Sequence, residues 1–177
     1  MIYELPEELK RLTYQGQTIE FSSGTGEVIK TERYSRTLVK GGGGGGNILA
    51  LTNGYVYGQI QSIYIESKST DIIDVWVKTD DVGEVNCQLF NPNIGVREGH
   101  IALFILGKAK STEPPITIVF MNKTLGDAYT MHAGKVHFIL ENNPSGLFKN
   151  PSKKQEEFDE KIHKHTLKII TFINEHS

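Results

Sequence analysis

The sequence predicts a mainly β fold, either a small antiparallel barrel or a curled sheet of about six to eight strands, with a short N-terminal helix and a C-terminal amphipathic helix. Three observations predict it. A β-rich stretch turns back on itself at 72–90, an apolar run follows at 101–106, and the hydrophobic period changes from two to about 3.5 after residue 152.

The clearest strand pair is predicted at 72–90. Ile72–Thr79 alternates apolar and polar side chains, the period-two pattern of a half-buried strand. Asp80–Gly83 supplies the residues of a turn, and Glu84–Phe90 alternates again. The spacing predicts an antiparallel hairpin with a Val/Val and a Val/Cys pair across it.

A second strand is predicted where Ile101–Leu106 is apolar at every position but no longer than a strand. Such a run is typical of a strand that is buried on both faces of a sheet. Arg97, Glu98 and His100 immediately precede it and form a compact polar trio. The trio has two interpretations: a site with His100 as acid or base, or a turn in which His100 bonds to the backbone.

The remaining segments have weaker signals. Leu5–Leu12 predicts a short helix, with acidic residues early and basic residues late. The other predicted segments are a strand at 18–21, a turn at 22–26, an irregular strand or hairpin at 27–39, and strands at 55–66, 116–121, 128–132 and 136–140.

Six consecutive glycines occupy Gly41–Gly46. A phosphate-binding loop would need Gly-Lys-Ser/Thr at the start of a helix, but here Lys40 precedes the glycines and no helix signal follows them. The run of glycines, here called the glycine-rich loop, therefore predicts a mobile connection or a tight backbone crossing rather than a nucleotide site.

The C-terminal region begins after a linker at 142–151 that is rich in Asn, Pro and Gly, which divides the chain into a β domain at 1–150 and a helix at 151–177. Ser152 and Gln155 have the spacing of a capping box. A heptad-like apolar stripe follows, made of Phe158, Ile162, His165, Ile169 and Phe172. The pattern leaves open whether this stripe packs on its own domain or on a copy of itself. If it self-associates, His165 predicts a pH-sensitive assembly.

Composition restricts the class of protein. The chain has 177 residues, 38% of them hydrophobic and 23% charged, with a net charge of −2. These values are typical of one globular domain and argue against nucleic acid as a partner. No apolar run approaches the ~18 residues of a membrane span, and the N-terminus has no signal-peptide pattern. We therefore expect a soluble cytoplasmic protein. The single cysteine, Cys87, falls on an apolar strand face and is predicted to be a core residue.

Two further groups of residues are candidates for a site. His132 and His137 flank a predicted turn, but two histidines without a carboxylate or cysteine pattern predict no metal site. Tyr64 and Trp76 belong to a set of strand aromatics near basic residues, which indicates a possible stacking surface for single-stranded nucleic acid or another ligand. No metal or cofactor is predicted.

The stretches GTGEVIKTERYSRTLVKGGGGGG and DVWVKTDDVGEVNCQLFNPNIGVREGHIALFIL carry a resemblance. They resemble a loosely defined group of uncharacterised bacterial proteins that combine a glycine-rich run, a Trp-containing hairpin and a V-R-x-G-H strand start. The resemblance covers about residues 24–125 and implies a compact β domain of bacterial origin, with no activity attached. Members often carry membrane segments, which this sequence lacks.

We therefore expect a non-catalytic binding or assembly module that uses its C-terminal helix to contact a protein partner or a copy of itself. The alternative is a protein that binds a ligand or single-stranded nucleic acid on its Tyr/Trp-bearing β face. A second alternative is an enzyme with a site at Arg97, Glu98 and His100.

Overall fold

A computed structural model describes residues 1–14, 16–42, 46–50, 56–60, 64–109, 114–131 and 152–176. Within these ranges, the secondary structure is β1 (Ile2–Tyr3), α1 (Glu7–Lys10), β2 (Arg11–Tyr14), β3 (Gln17–Gly42), β4 (Gly46–Ala50), β5 (Val56–Ile60), β6 (Tyr64–Thr79), β7 (Gly83–Phe90), β8 (Ile101–Ala109), β9 (Ile116–Asn122), β10 (Asp127–Thr130) and α2 (Lys153–His176). The chain divides into two compact units, residues 1–34 with 71–177, and residues 35–70.

The larger unit is built on one antiparallel sheet. Its strands follow the order β10-β9-β8-β3-β6-β7, and the short strands β1 and β2 also pair with β3. The Tyr129 hydroxyl on β10 accepts a hydrogen bond from the Phe90 amide on β7 at 3.1 Å, which links the two ends of this order. The mainly β fold with two helices is confirmed, but the sheet is not closed and the barrel is not confirmed.

The predicted hairpin is confirmed as β6 and β7. Val75 pairs with Cys87, and Val77 pairs with Val85, as the alternation indicates. Val75, Val77 and Cys87 are fully buried, so the apolar face of this hairpin forms part of the core. Burial also confirms Cys87 as a core residue, and it raises the pKa of the thiol to about 12.

Strand β8 is buried on both faces, as its apolar run predicts. Residues directly opposite each other on antiparallel strands lie on the same side of a sheet. Ile105 lies opposite Ser23, on the side of β3 that also carries Phe21, whereas Phe104 lies opposite Gly24 on the other side. Both Ile105 and Phe104 are buried, so both faces of β8 are covered.

The turn predicted at 22–26 is wrong, because β3 runs through it without interruption. The glycines there serve close packing instead. A Cβ atom at Gly24 would lie 2.8 Å from Cζ of Phe104, and one at Gly26 would overlap the carbonyl group of Lys78. Glycine allows these approaches because it has no side chain, a requirement that composition alone does not distinguish from a turn.

The N-terminal helix is shorter than predicted. It covers only Glu7–Lys10, and residues 11–14 form β2, which pairs with the start of β3 from Arg11 opposite Glu20 to Tyr14 opposite Gln17. A helix of four residues has little stability alone. Pairing with β3 therefore decides that residues 11–14 form a strand instead of a continuation of the helix.

Helix α2 packs on the larger unit of its own chain. Phe158 stacks on Tyr14 with ring centres 5.6 Å apart, and His165 lies 4.8 Å from the ring centre of Phe21. At the start of the helix, the Gln155 side chain accepts a hydrogen bond from the Ser152 amide at 2.7 Å, which is one half of the predicted capping box.

Strands are confirmed at 116–121 and near 128–132, as β9 and β10. Several predictions lie outside the described residues. They are the centre of the glycine-rich loop, the strand at 136–140, His132, His137 and the linker at 142–151.

Candidate functional site

His100 lies immediately before β8 and is held by hydrogen bonds of its side chain and its backbone. Its Nδ1 lies 2.8 Å from the amide nitrogen of Asn122, which can only donate. His100 Nδ1 is therefore the acceptor, and the neutral ring carries its proton on Nε2. The backbone of the same turn is also paired, since the Val28 amide donates to the His100 carbonyl oxygen at 2.8 Å.

Asn122 organises this region, and sequence reasoning missed it. Its side chain is 1% exposed. Its Oδ1 accepts hydrogen bonds from the amides of Thr124 and Leu125, at 3.1 and 3.2 Å. Its Nδ2 donates to the Gly95 carbonyl oxygen at 2.6 Å as well as to His100. Asn122 thus joins the β9–β10 turn to the loop before β8. The Asn-Lys-Thr-Leu-Gly turn pattern was the only signal for it.

Arg97 and Glu98 are exposed on the same turn, and no ion pair joins them in the part of the chain described. The nearby depression, of about 390 Å³, is lined by Thr25, Ile101, Lys123 and Thr124. None of the trio lines it. The described geometry therefore supports the turn interpretation of Arg97, Glu98 and His100, while a catalytic role for them stays a prediction.

Trp76 lies on the face of β6 opposite to the buried Val75 and Val77. The ammonium group of Lys30 lies 4.8 Å from the centre of the Trp76 ring, a cation–π contact. Lys30 also pairs with Glu32 at 2.6 Å, and this exposed hydrogen bond raises the pKa of Lys30. No local pattern predicts that the Lys30 ammonium group lies over the Trp76 ring, because the two residues are 46 positions apart.

The same face carries a polar network. The Gln88 amide donates to the Tyr34 hydroxyl at 3.0 Å and to Asp74 Oδ1 at 2.9 Å. Across the hairpin, Trp76 lies opposite Asn86 and Lys78 opposite Glu84. Charged residues that these contacts and the strand register connect to this face include Lys30, Lys78, Glu32, Asp74 and Glu84. The side chain of Tyr64 lies outside the described part.

The helical stripe predicted for oligomerisation packs against other residues of the same chain. Phe158, Ile162, His165 and Ile169 are buried, and Phe172 is half-buried. His165 Nε2 lies 3.0 Å from the Leu9 carbonyl oxygen. Of the two arrangements left open by the sequence, packing on its own domain is the one observed, and self-association through this stripe stays a prediction.

The smaller unit, residues 35–70, is here called the arm. It contains the end of β3, the beginning of β6, and the β4–β5 pair, which runs from Gly46 opposite Ile60 to Ala50 opposite Val56. Among its described side chains, the large apolar residues Val39 and Ile65 are 62% and 73% exposed. Among the arm's described side chains, Thr70 alone is buried.

The described residues contain no group of three or more His, Cys, Asp or Glu side chains that could hold a metal ion. Neither helix in the described ranges has the length and apolar character needed to cross a membrane. No protein-family model, curated protein or solved structure matches the chain.

Proposed function

We propose that the protein is a non-catalytic binding or assembly module whose arm makes the protein contacts. The observation that carries this proposal is the exposure of Val39 and Ile65 on strands of the arm. β-Branched aliphatic side chains stabilise a strand when a neighbouring layer covers them, and a β ribbon alone is marginally stable in water. A partner that covers these side chains would supply the missing layer.

This proposal keeps the module expected from the sequence but moves its contact surface. The C-terminal helix has less support as the contact surface because its apolar stripe packs against Leu9, Tyr14 and Phe21. The outward side of the helix keeps one large exposed apolar residue, Leu167, at 49%. It therefore provides a matched control for the arm.

A second candidate function is ligand binding on the face that carries Trp76. The contact between Lys30 and the half-buried Trp76 ring favours it, since a ligand that displaces Lys30 would stack on the same ring face.

The proposal is tested by affinity capture with three forms of the full chain: the unmodified protein, the double variant Val39→Lys/Ile65→Lys, and the control Leu167→Lys. We expect proteins retained by the unmodified chain and the control, including further copies of the chain itself, to be lost from the double variant. Retention of the same proteins by all three forms, or by none of them, would show that the arm is not a contact surface.

A further inference from the structure

The ring of Trp76 already holds an ammonium group. The ammonium nitrogen of Lys30 on β3 lies 4.8 Å from the centre of this ring on β6. The same nitrogen donates a hydrogen bond to Oε1 of Glu32, 2.6 Å away. One ammonium group is therefore bound at the same time by the face of an indole ring and by a carboxylate, the two kinds of group that attract a cation most strongly.

A second carboxylate acts on this ammonium group from β7. Glu84 lies opposite Lys78, two residues after Trp76, and is therefore a diagonal neighbour of Trp76 at about 7 to 8 Å. The hydrogen bond and the charge of Glu32 raise the pKa of Lys30, and the charge of Glu84 adds to them. Lys78 also faces Glu84, so Glu32 is the stronger partner. We call the position of the ammonium group, bordered by Glu32, Trp76 and Glu84, the ammonium site.

Lys30 is an occupant that can exchange with another cation. Its side chain is 55% exposed, and that of Glu32 is 52% exposed. Exposed ion pairs add little stability, because water screens them and because holding a long side chain in one place costs rotamer entropy. Trp76, by contrast, is half-buried on a strand that pairs with β7. The ring therefore keeps its position when the Lys30 side chain moves away.

We infer that the ammonium site binds an alkylammonium group of another molecule, either a lysine side chain or a free amine, in exchange for that of Lys30. This inference rests on the second candidate function, ligand binding on the face that carries Trp76, and specifies its ligand. The face of an indole ring is negative, as are both flanking carboxylates, so the site selects a cation. One ring contact and one exposed hydrogen bond imply weak binding, with a Kd on the order of 1 to 10 mM.

Tryptophan fluorescence measures this binding directly, because Trp76 is the only tryptophan of the chain. The full chain and its variant Lys30→Met are titrated at constant ionic strength with N-acetyl-lysine methylamide. N-acetyl-norleucine methylamide, which keeps the aliphatic stem but lacks the ammonium group, is the control ligand. We expect the lysine analogue to change the emission of both proteins, with a Kd at least threefold lower for Lys30→Met. The norleucine analogue should bind at least ten times more weakly.

Two further variants separate the ammonium site from the net charge of the protein. Lys123→Met removes one positive charge from the exposed β9–β10 turn and should change the Kd of the lysine analogue less than twofold. Lys30→Met/Glu32→Gln removes the carboxylate that accepts the hydrogen bond, and its Kd should be at least threefold higher than that of Lys30→Met. Equal gains from Lys30→Met and Lys123→Met, or no loss with Glu32→Gln, would overturn the inference.

The source of the ammonium group is assigned by a third ligand, n-butylamine. If it binds as tightly as the lysine analogue, a free amine is sufficient, whereas tighter binding of the lysine analogue assigns the site to a lysine of a peptide or protein. Equal binding of the lysine and norleucine analogues overturns the inference but leaves ligand binding on the face that carries Trp76 in place. If none of the three ligands binds, the inference also fails. Capture through the arm is tested separately, because Val39 and Ile65 are unchanged in all of these proteins.

Discussion

The imidazole of His165 donates a hydrogen bond from Nε2 to the carbonyl oxygen of Leu9, 3.0 Å away, and thereby joins the C-terminal helix to the N-terminal one. A carbonyl oxygen can only accept, so this nitrogen carries the proton. The same ring lies 4.8 Å from the Phe21 ring centre and is 8% exposed. The helix is thus held by a specific polar contact as well as by apolar packing.

Replacement of His165 by alanine should lower the free energy of unfolding by about 2 to 3 kcal/mol, because it removes packing against Phe21 and leaves the Leu9 carbonyl without its partner. His165→Phe keeps a ring of similar size and should cost about 1 kcal/mol, which reflects the lost hydrogen bond. Urea denaturation of each variant measures both values.

His163→Ala is the matched control, since His163 lies two residues away on the exposed side of the same helix. Its effect should stay within about 0.5 kcal/mol. Equal losses from His163→Ala and His165→Ala would contradict the buried contact with Leu9.

Asn122→Ala should destabilise the protein by about 3 kcal/mol. The change leaves the Gly95 carbonyl oxygen, the Thr124 and Leu125 amides and His100 Nδ1 without the side-chain amide that bonds them. Asn122→Asp keeps the oxygen that accepts from the two amides but loses both donations. Its cost at neutral pH should also be large, because a carboxylate would face the Gly95 carbonyl oxygen.

A double-mutant cycle with His100→Ala separates the contributions. Because Asn122 bonds to His100, the sum of the two single-variant losses in unfolding free energy should exceed the loss in the double variant by about 1 kcal/mol. Strict additivity would mean that the contact at 2.8 Å contributes nothing to stability.

Much of the fold follows from local patterns. The hairpin of β6 and β7 obeys its alternation, with its register centred on Val75 and Cys87, and the apolar run of β8 is buried on both faces. Residues 22–26 are different, because Gly24 and Gly26 have a composition typical of a turn but occupy a strand. Glycine is needed at these two positions because Phe104 and Lys78, which are distant in sequence, approach the backbone closely. Local propensity contains no information about such approaches.

In the candidate sites, too, local patterns identify residues, whereas contacts with residues distant in sequence decide their roles. His100 was identified from its neighbours in sequence, but its role depends on Asn122, 22 residues away. The helical stripe was also identified correctly as apolar, but its period alone does not distinguish a self-associating seam from one that packs on Phe21.

Gly26→Ala should destabilise the larger unit by about 3 kcal/mol, since the added carbon would overlap the Lys78 carbonyl group and neighbouring backbone must move. Gly95→Ala is the control. There the nearest atom, Leu125 Cδ1 at 3.2 Å, belongs to a side chain that can shift, so the cost should stay below about 1 kcal/mol. Thermal unfolding measures the difference. Equal losses of stability in the two variants would contradict the close approach of Gly26 on β3 to Lys78 on β6.

Alkaline pH should weaken the fold through Tyr129. Burial raises the pKa of its phenol from 10.0 to about 12. The stability that comes from the neutral phenol is present in full below pH 10, the value of the unfolded chain, and is lost as pH rises towards 12. Two pKa units correspond to about 2 to 3 kcal/mol. Cys87 contributes a further loss from pH 9 upwards, because its pKa is also raised, to about 12.

Tyr129→Phe isolates the first contribution. The variant loses the bond from the Phe90 amide and should be about 1 kcal/mol less stable at neutral pH. It no longer carries a phenol that ionises, so its stability should fall less steeply than that of the unmodified protein between pH 10 and 12. All other titrating groups are common to both proteins, so the difference in slope belongs to Tyr129. Parallel curves over that interval would mean that the phenol is solvated in the folded state and does not link β10 to β7.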